Sequence, residues 1–258
     1  MSFYYYNQRD YSYVPYDNPS TSRKETIATS GCGVCSACMV FNNLAQKVLY
    51  TVPAMAQFSI KNGARDNSGT NEVTLLNALC KANKGFSWKG TTDVNELVKH
   101  LKSGGMAICN QGDVYNIFST AGHFVVADRM VGNAVDILDP DMYAGKYDAY
   151  DRPNRIVSKT NYGCVVTTAQ LSKATSDRNP AYYLVSYKRV KPKVYGNAKM
   201  KSAQNAYCDS DLTEKIGSVG KGERVYYLGT GEGRPMISYQ TSRGYKVGFV
   251  AKDSVIRD

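Results

Sequence analysis

One cysteine of this 258-residue chain stands where a turn gives way to a helix-like segment. This residue, Cys32, lies between Gly31 and Gly33. The N–H groups at the start of a helix lack internal acceptors, and the positive end of the helix dipole lies there. A thiol at such a position ionises more easily. Cys32 is therefore a candidate nucleophile, provided that the chain also supplies a base and a group that orients it.

Histidine is the usual base, and the chain has two, His100 and His123. His100 lies off the apolar face of an amphipathic helix predicted over 92–102, so we expect an ordinary solvated residue. His123 begins an apolar run, 123–128, that is typical of a buried strand. A titratable residue at the start of such a buried strand needs a hydrogen-bonding or charged partner. His123 is therefore either a satisfied core histidine or the base that Cys32 requires.

A second strand pattern, 135–138, is followed directly by Asp139. Antiparallel pairing of the two strands would bring Asp139 close to His123, where a carboxylate can hold the imidazole in the required tautomer. Asp136 and Asp141 are competing carboxylates. Because Asp136 lies in mid-strand, alternation can turn it away, and Asp141 lies past the strand as a turn residue. We therefore favour Asp139.

Two further thiols, Cys35 and Cys38, give the segment a triple Cys-x-x-Cys spacing. A bacterial iron–sulfur motif would need a further cysteine shortly afterwards, followed by proline, which residues 39–42 do not provide. A zinc site would need histidine or acidic ligands that this segment lacks. We therefore expect no metal, and we expect both thiols to pack in the core as small hydrophobic groups.

Four segments together resemble the motifs of papain-like cysteine peptidases, above all those of the bacteriocin-leader-peptidase-like group, which also supplies peptidoglycan-degrading modules of phage lysins. The segments are Gly31-Cys32-Gly33-Val34, Met39-Val40, Gly122-His123-Phe124-Val125-Val126 and Ile137-Leu138-Asp139-Pro140. The resemblance covers roughly residues 1–188. It implies a papain-like domain that hydrolyses amide bonds through an acyl-enzyme and needs no cofactor.

The resemblance also implies a role for each candidate residue. Cys32 would be the nucleophile, His123 the general base and then the general acid, and Asp139 the group that orients the imidazole. An alignment on the papain pattern Cys-Gly-Ser-Cys-Trp would instead make Cys35 the nucleophile. The match to Gly-Cys-Gly favours Cys32.

The oxyanion donor is the part of the pattern from which this chain departs. Compact leader peptidases carry a glutamine six residues before the cysteine, where this chain has Thr26. Lysin-like members carry an earlier Asn-Gln-Arg-Asp segment, which residues 7–10 match, and a Thr-Ile-Ala-Ser-like run, which residues 26–29 fit. Gln8 is therefore the candidate donor, and a plain surface glutamine is the alternative.

The elements around these residues run from helices to strands. After the helix that begins near Cys32, helical patterns cover 53–60, 73–80 and 92–102. Strand patterns follow at 106–109, 123–129, 135–138, 164–167 and 182–187. Helices that carry the nucleophile, packed on an antiparallel sheet that carries the base, make an α+β domain. Residues 141–159 show little periodicity, so we expect a loop beside Asp139 that shapes a substrate groove.

The composition changes at a basic junction that contains a proline. We predict a papain-like cysteine peptidase domain over 1–188, a linker over 189–193 and a second domain over 194–258. Short strand-like runs fill the second domain, which resembles a small all-β, bacterial SH3-like barrel that binds cell-wall peptide or glycan. Its candidate aromatic contacts are Tyr195, Tyr207, Tyr226, Tyr239 and Tyr245. Strand alternation turns about half of such residues inward, and we favour Tyr226, Tyr239 and Tyr245 as substrate-binding residues.

Composition limits the partners. The net charge of +10 favours an acidic partner, and anionic wall polymers fit it. No block of five basic residues and no nucleic-acid motif occurs, so nucleic acid is not expected. The chain has no run of eighteen apolar residues, so membrane insertion is not expected.

The N-terminus does not look like a signal peptide, and seven cysteines, three of them crowded together, do not suggest a disulfide framework. We therefore expect synthesis in a bacterial cytoplasm and action on the cell wall after release. The prediction is a peptidoglycan hydrolase similar to phage or prophage endolysins. The alternatives are a cysteine protease that acts on protein or leader peptides, and a non-catalytic wall-binding protein.

Overall fold

The computed structural model describes residues 3–67, 69–188, 196–242 and 244–257. The chain divides into two compact units, Met1–Arg189 and Val190–Asp258. The predicted linker, 189–193, and Tyr195 lie outside the described residues. Among the described residues, no helix is both long enough and apolar enough to cross a bilayer.

The first unit begins with its helices, and side-chain caps mark where several of them start. The helices are α1 (Ile27–Ser30), α2 (Cys32–Ala45), α3 (Val52–Lys61), α4 (Glu72–Ala82), α5 (Val94–Lys102) and α6 (Thr168–Ala174). Thr51, Asn71 and Asp93 each accept a hydrogen bond from a backbone N–H of the first turn that follows. The predicted helices from near Cys32 and at 53–60, 73–80 and 92–102 are confirmed, whereas α1 and α6 were not predicted.

Seven strands of the first unit form one antiparallel sheet, in the order β3-β9-β4-β5-β6-β8-β7. Two strands of two residues each, β1 (Arg65–Asp66) and β2 (Gly69–Thr70), pair with each other outside this sheet. The sheet strands are β3 (Phe86–Thr91), β4 (Met106–Gln111), β5 (His123–Val131), β6 (Ala134–Leu138), β7 (Ser158–Thr160), β8 (Gly163–Thr167) and β9 (Tyr182–Tyr187). All five predicted strands are confirmed, and β3 and β7 were missed.

Both faces of this sheet are covered, which explains why its central strands read as nearly continuous apolar runs. The face under α2 presents Ile108, Val126, Leu138, Tyr183 and Val185. The opposite face presents Ala107, Cys109, Val125, Ala127 and Ile137, and α5 and α6 pack there through Leu97, Leu101 and Leu171. The helix that begins at Cys32 is therefore buried against a sheet that is itself supported from behind.

The second unit is built from strands, as expected. They are β10 (Ala198–Met200), β11 (Gln204–Tyr207), β12 (Lys215–Val219), β13 (Arg224–Gly231), β14 (Arg234–Thr241), β15 (Gly244–Phe249) and β16 (Val255–Arg257). They form one antiparallel sheet in the order β12-β11-β15-β14-β13-β10-β16. Tyr239 is 1% exposed and lies in the core, so its prediction as a contact for substrate is wrong. Tyr226 and Tyr245 are exposed on the surface.

Gly163 tests how tightly β8 packs beside the end of β6. A Cβ at this position would overlap the carbonyl group of Ile137 and lie 3.1 Å from the backbone nitrogen of Asp139. We expect Gly163→Ala to lower the free energy of unfolding by about 1–3 kcal/mol because overpacking forces the backbone apart. Urea unfolding followed by fluorescence of Trp88, the single tryptophan, measures the first unit alone.

The matched control for this substitution is Ser158→Ala, on the neighbouring strand β7. Ser158 is exposed, so we expect its replacement to change the free energy by less than about 0.5 kcal/mol. Equal unfolding midpoints for the two variants would contradict the close approach at Gly163.

Candidate active site

Cys32 is the first residue of α2 and is partly exposed. The short helix α1 ends at Ser30, and at the next residue, Gly31, any Cβ would lie 2.6 Å from atoms of Ile27. Only glycine therefore allows the chain to pass directly from α1 into α2. The first N–H groups of α2 have no acceptor within the helix, and the backbone N–H groups of Phe124 and Gly33 help to lower the pKa of Cys32.

His123 is the first residue of β5 and is 7% exposed. Strand pairing joins Val126 to Leu138, so the start of β5 and the end of β6 lie side by side. The Nε2 atom of His123 lies 2.9 Å from Oδ1 of Asp139. Because an ionised carboxylate has no hydrogen to donate, the proton between them belongs to Nε2. The other ring nitrogen, Nδ1, is left for the hydrogen bond that joins His123 to Cys32.

The electrostatics favour an ionised pair. Burial opposes ionisation of the Cys32 thiol, but the hydrogen bond and the charge of His123 outweigh it and lower the pKa of Cys32. Burial also opposes protonation of His123, but the charge of Asp139 and the hydrogen bonds to Asp139 and Cys32 raise its pKa to about 9. The lowered pKa of Cys32 and the raised pKa of His123 together favour a thiolate beside an imidazolium.

Asp139 is completely buried, and four donors surround its carboxylate. Besides His123, the backbone N–H of Asp141 donates to Oδ1 at 2.9 Å. Lys146 Nζ and the Tyr147 hydroxyl each lie 2.7 Å from Oδ2. Burial alone would raise the pKa of Asp139, but the charges of His123 and Lys146 hold it well below its usual range.

The competing carboxylates point elsewhere. Asp136 pairs with Arg129 at 2.7 Å. Asp141 pairs with Arg9 at 2.7 Å and contributes only its backbone N–H to Asp139. Of the three carboxylates, the structure brings Asp139 to His123.

Gln8 contacts both the segment that follows Asp139 and the short helix that precedes Cys32. It is 7% exposed, its backbone N–H donates to the carbonyl of Pro140 at 2.6 Å, and its Nε2 donates to the carbonyl of Ala28 at 2.9 Å. Nearby, the Tyr5 hydroxyl donates to the backbone carbonyl of Asp139 at 2.7 Å. Gln8 is therefore not a plain surface residue. One hydrogen of its amide nitrogen is committed to Ala28 and the second has no acceptor in the described part of the chain.

Glu72 is a site neighbour that sequence reasoning missed. It is 2% exposed, and neither carboxyl oxygen has a hydrogen-bond partner in the described structure. Its carboxyl group lies against Gly33, where a Cβ would overlap it. Burial, and then the charge of Cys32, raise the pKa of Glu72 well above its usual range, which favours its neutral form beside Cys32. Because Glu72 opens α4 directly after the cap residue Asn71, the sequence presents it as an ordinary acidic residue of a first turn.

The remaining candidates are accounted for by packing. Cys35 and Cys38 are buried in the core under α2, and burial raises the pKa of both thiols. His100 was expected to be solvated, but its Nε2 lies 2.9 Å from the carbonyl of Val185 and 3.1 Å from that of Met106, so that expectation is wrong. Within the described ranges, no group of three or more His, Cys, Asp or Glu residues is placed to hold a metal ion.

Comparison with known proteins gives partial similarities. No family model and no curated protein matches the chain. Among solved structures, the chain is similar to the peptidase domain of Streptococcus ComA, a bi-functional ABC transporter involved in a quorum sensing pathway. The two chains are 13% identical with a TM-score of 0.40, and the match covers 62% of this chain and 93% of the ComA domain.

Ly7917 is a second similar structure, with 17% identity and a TM-score of 0.21 over 67% of this chain and 65% of that chain. The structure of Ly7917 with the hydrolyzing product of MDP gives 16% identity and a TM-score of 0.20 over 69% of this chain and 66% of that chain. The chain thus spans just under two thirds of the length of both Ly7917 structures.

The ionised pair predicts selective alkylation of Cys32 by iodoacetamide. Cys208 is an internal comparison because it is exposed, while hydrogen bonds to Glu214 and Asp209 raise its pKa to about 11. We expect Cys32 to be labelled at least roughly tenfold faster than Cys208 at pH 7, although Cys32 is the less accessible thiol. Peptide mass spectrometry at short reaction times measures both rates.

The control for this measurement is His123→Ala, which we expect to slow labelling of Cys32 without affecting Cys208. If the labelling rate followed solvent exposure, so that Cys208 reacted faster than Cys32, the result would contradict the ionised pair.

Proposed function

We propose that this chain is a papain-like cysteine hydrolase that cleaves an amide bond in bacterial peptidoglycan. The observation that supports it is the hydrogen-bonded series Cys32–His123–Asp139, in which a buried carboxylate orients an imidazole whose second nitrogen meets a thiol. This arrangement is the one that acyl transfer by a thiolate requires.

The first half of the reaction uses the thiolate and the imidazolium. The Cys32 sulfur attacks the carbonyl carbon of the scissile amide, and the carbonyl oxygen takes the negative charge. His123 then donates its Nδ1 proton to the leaving amine, the C–N bond breaks, and a thioester forms on Cys32.

The second half reverses these roles. Neutral His123 takes a proton from water, the hydroxide attacks the thioester, and the carboxylic acid leaves as the thiolate and imidazolium form again. Asp139 keeps Nε2 protonated throughout, so Nδ1 alone exchanges the proton. The N–H groups at the start of α2, and the uncommitted hydrogen of the Gln8 amide, are the donors that we assign to the oxyanion.

The choice of a wall substrate is supported by charge and by the surface of the second unit. A net charge of +10 attracts a protein to anionic polymers. On strands β13 to β15, Ser238 pairs with both Tyr226 and Val247, so these residues share one face, and Tyr245 lies two residues before Val247 on that same face. Tyr226, Tyr245 and Val247 are all exposed, and we assign this aromatic face of an SH3-like module to wall binding.

Digestion of purified peptidoglycan tests the catalytic assignment. We expect the chain to release fragments with new amine and carboxyl termini, and Cys32→Ala to lower the rate at least about a thousandfold because the nucleophile is lost. Mass spectrometry of the products identifies the cleaved bond. Cys208→Ser, which removes an exposed thiol of the second unit, is the control and should retain full activity.

Two results would contradict this assignment. If Cys32→Ala stayed active while Cys35→Ala was inactive, Cys35 would be the nucleophile. If the chain left peptidoglycan intact but cleaved unfolded protein or leader peptides in a Cys32-dependent way, the substrate would be protein instead.

Sedimentation with purified cell walls tests the second unit. We expect the double variant Tyr226→Ala/Tyr245→Ala to bind walls roughly tenfold more weakly because it loses two exposed aromatic contacts. Its hydrolysis of soluble muropeptides should not change. Tyr13→Ala removes a tyrosine that is 72% exposed on the first unit and serves as the control. Unchanged wall binding by the double variant would show that this face is not the binding surface.

A further inference from the structure

We infer that Lys146 is a positioning residue that acts through Asp139 and sets the pH range over which Cys32 and His123 form their ion pair. This inference rests on the proposed function, since it assigns the regulation of the same site. Lys146 does not touch Cys32 or the substrate in this assignment; it works by occupying the second oxygen of the carboxylate that orients the base.

Lys146 is an unusual residue for its place in the chain. Lysine is almost never fully buried unless it is paired. The side chain of Lys146 is 1% exposed, and its ammonium group lies 2.7 Å from Oδ2 of Asp139 and 3.0 Å from the backbone carbonyl of Asp141. The loop between β6 and β7 thus buries a cation beside the one carboxylate that contacts His123.

The backbone of Lys146 is anchored as firmly as its side chain. Its N–H donates to the carbonyl of Tyr143 at 3.1 Å, and Arg152 Nη1 donates to its carbonyl at 2.8 Å. Tyr147, the next residue, donates its hydroxyl to the same Oδ2. The two donors hold one edge of the carboxylate, so the other edge must face His123.

The charges around this group are nearly balanced. Asp141 faces the Asp139–Lys146 pair and also pairs with Arg9. The Tyr143 ring, the hydroxyls of Tyr5 and Tyr147, and Cys164 face the pair as well. Cys35 and Asp10 face it through the Tyr5 hydroxyl. On the far side of His123 are the Cys32 sulfur and Glu72, whose burial favours the neutral acid. With Cys32 and Asp139 negative and His123 and Lys146 positive, these four groups carry no net charge, and the buried guanidinium of Arg152 adds one positive charge at the Lys146 carbonyl.

Removal of the Lys146 cation must therefore raise the pKa of its acidic neighbours. Loss of a positive charge makes it harder for Cys32 to release its proton and harder for the His123 imidazolium to release its own. Both limbs of the pH profile should move to higher pH. A residue that only filled space would instead lower the rate equally at every pH.

The pH dependence of Cys32 alkylation by iodoacetamide measures the acid limb, where Cys32 loses its proton, without any substrate. The pH dependence of muropeptide hydrolysis measures the alkaline limb, where His123 loses its proton. We expect Lys146→Met to move both midpoints upward by about one pH unit. Lys146→Arg keeps the charge and should stay within about 0.3 unit of the unmodified chain. Tyr147→Phe, the matched control, removes one hydrogen bond to Oδ2 without a change of charge and should lower the rate without moving either midpoint.

Lys146→Met leaves a buried carboxylate with one partner fewer, which can prevent folding. The double variant Asp139→Asn/Lys146→Met removes both charges of the buried pair, and in Asp139→Asn alone the Lys146 ammonium keeps the Asp141 carboxylate, 3.6 Å away, as its anion. We expect the alkylation midpoint of the double variant to lie at least about half a unit above that of Asp139→Asn.

The outcomes separate this inference from the proposed function. If Cys32 of the unmodified chain is alkylated only at the pH of an ordinary thiol, the proposed ion pair is wrong. If its midpoint is low but stays unchanged in Lys146→Met, or in the double variant relative to Asp139→Asn, the role of Lys146 is wrong and the proposed function stands.

Discussion

The burial of the Asp139 carboxylate is the interaction on which the rest of the site depends. An isolated charge of this kind cannot be taken out of water without several donors around it. Here the donors come from the start of β5, from the turn after β6 and from the loop that follows, as His123, Asp141, Lys146 and Tyr147. The need to satisfy one anion therefore holds the start of β5, the turn after β6 and the following loop in a single arrangement.

Cys32, the nucleophile of the proposed function, is held by separate contacts, which are local. Glycine at positions 31 and 33 lets α1 run directly into α2 and lets the Glu72 carboxyl pack against the helix start. The sheet then carries His123 to the exposed end of this helix, and helices on both of its faces prevent the strand from shifting. Rigid elements thus supply both partners of the ion pair, which favours precise geometry.

The sequence revealed those parts of the site that depend on residue type, order and strand period. Cys32, His123 and Asp139 could be predicted because one is a thiol at a helix start and the others flank adjacent apolar runs. Lys146 and Glu72 could not be predicted, because their importance comes from burial: a loop without periodicity covers Lys146 beside Asp139, and Glu72 packs against Gly33, far earlier in the chain. Tyr239 and His100 were misjudged for a related reason: local periodicity does not tell which polar side chain the tertiary structure covers.

The N-terminal segment has a consequence for the order of folding. The Tyr5 hydroxyl meets Asp139 across 134 positions of sequence, and the Gln8 backbone meets Pro140. Contacts of such long range form late, because the chain between them must first be brought into place. A nascent chain that has not yet reached Tyr147 therefore lacks the full set of donors that holds the Asp139 carboxylate against His123.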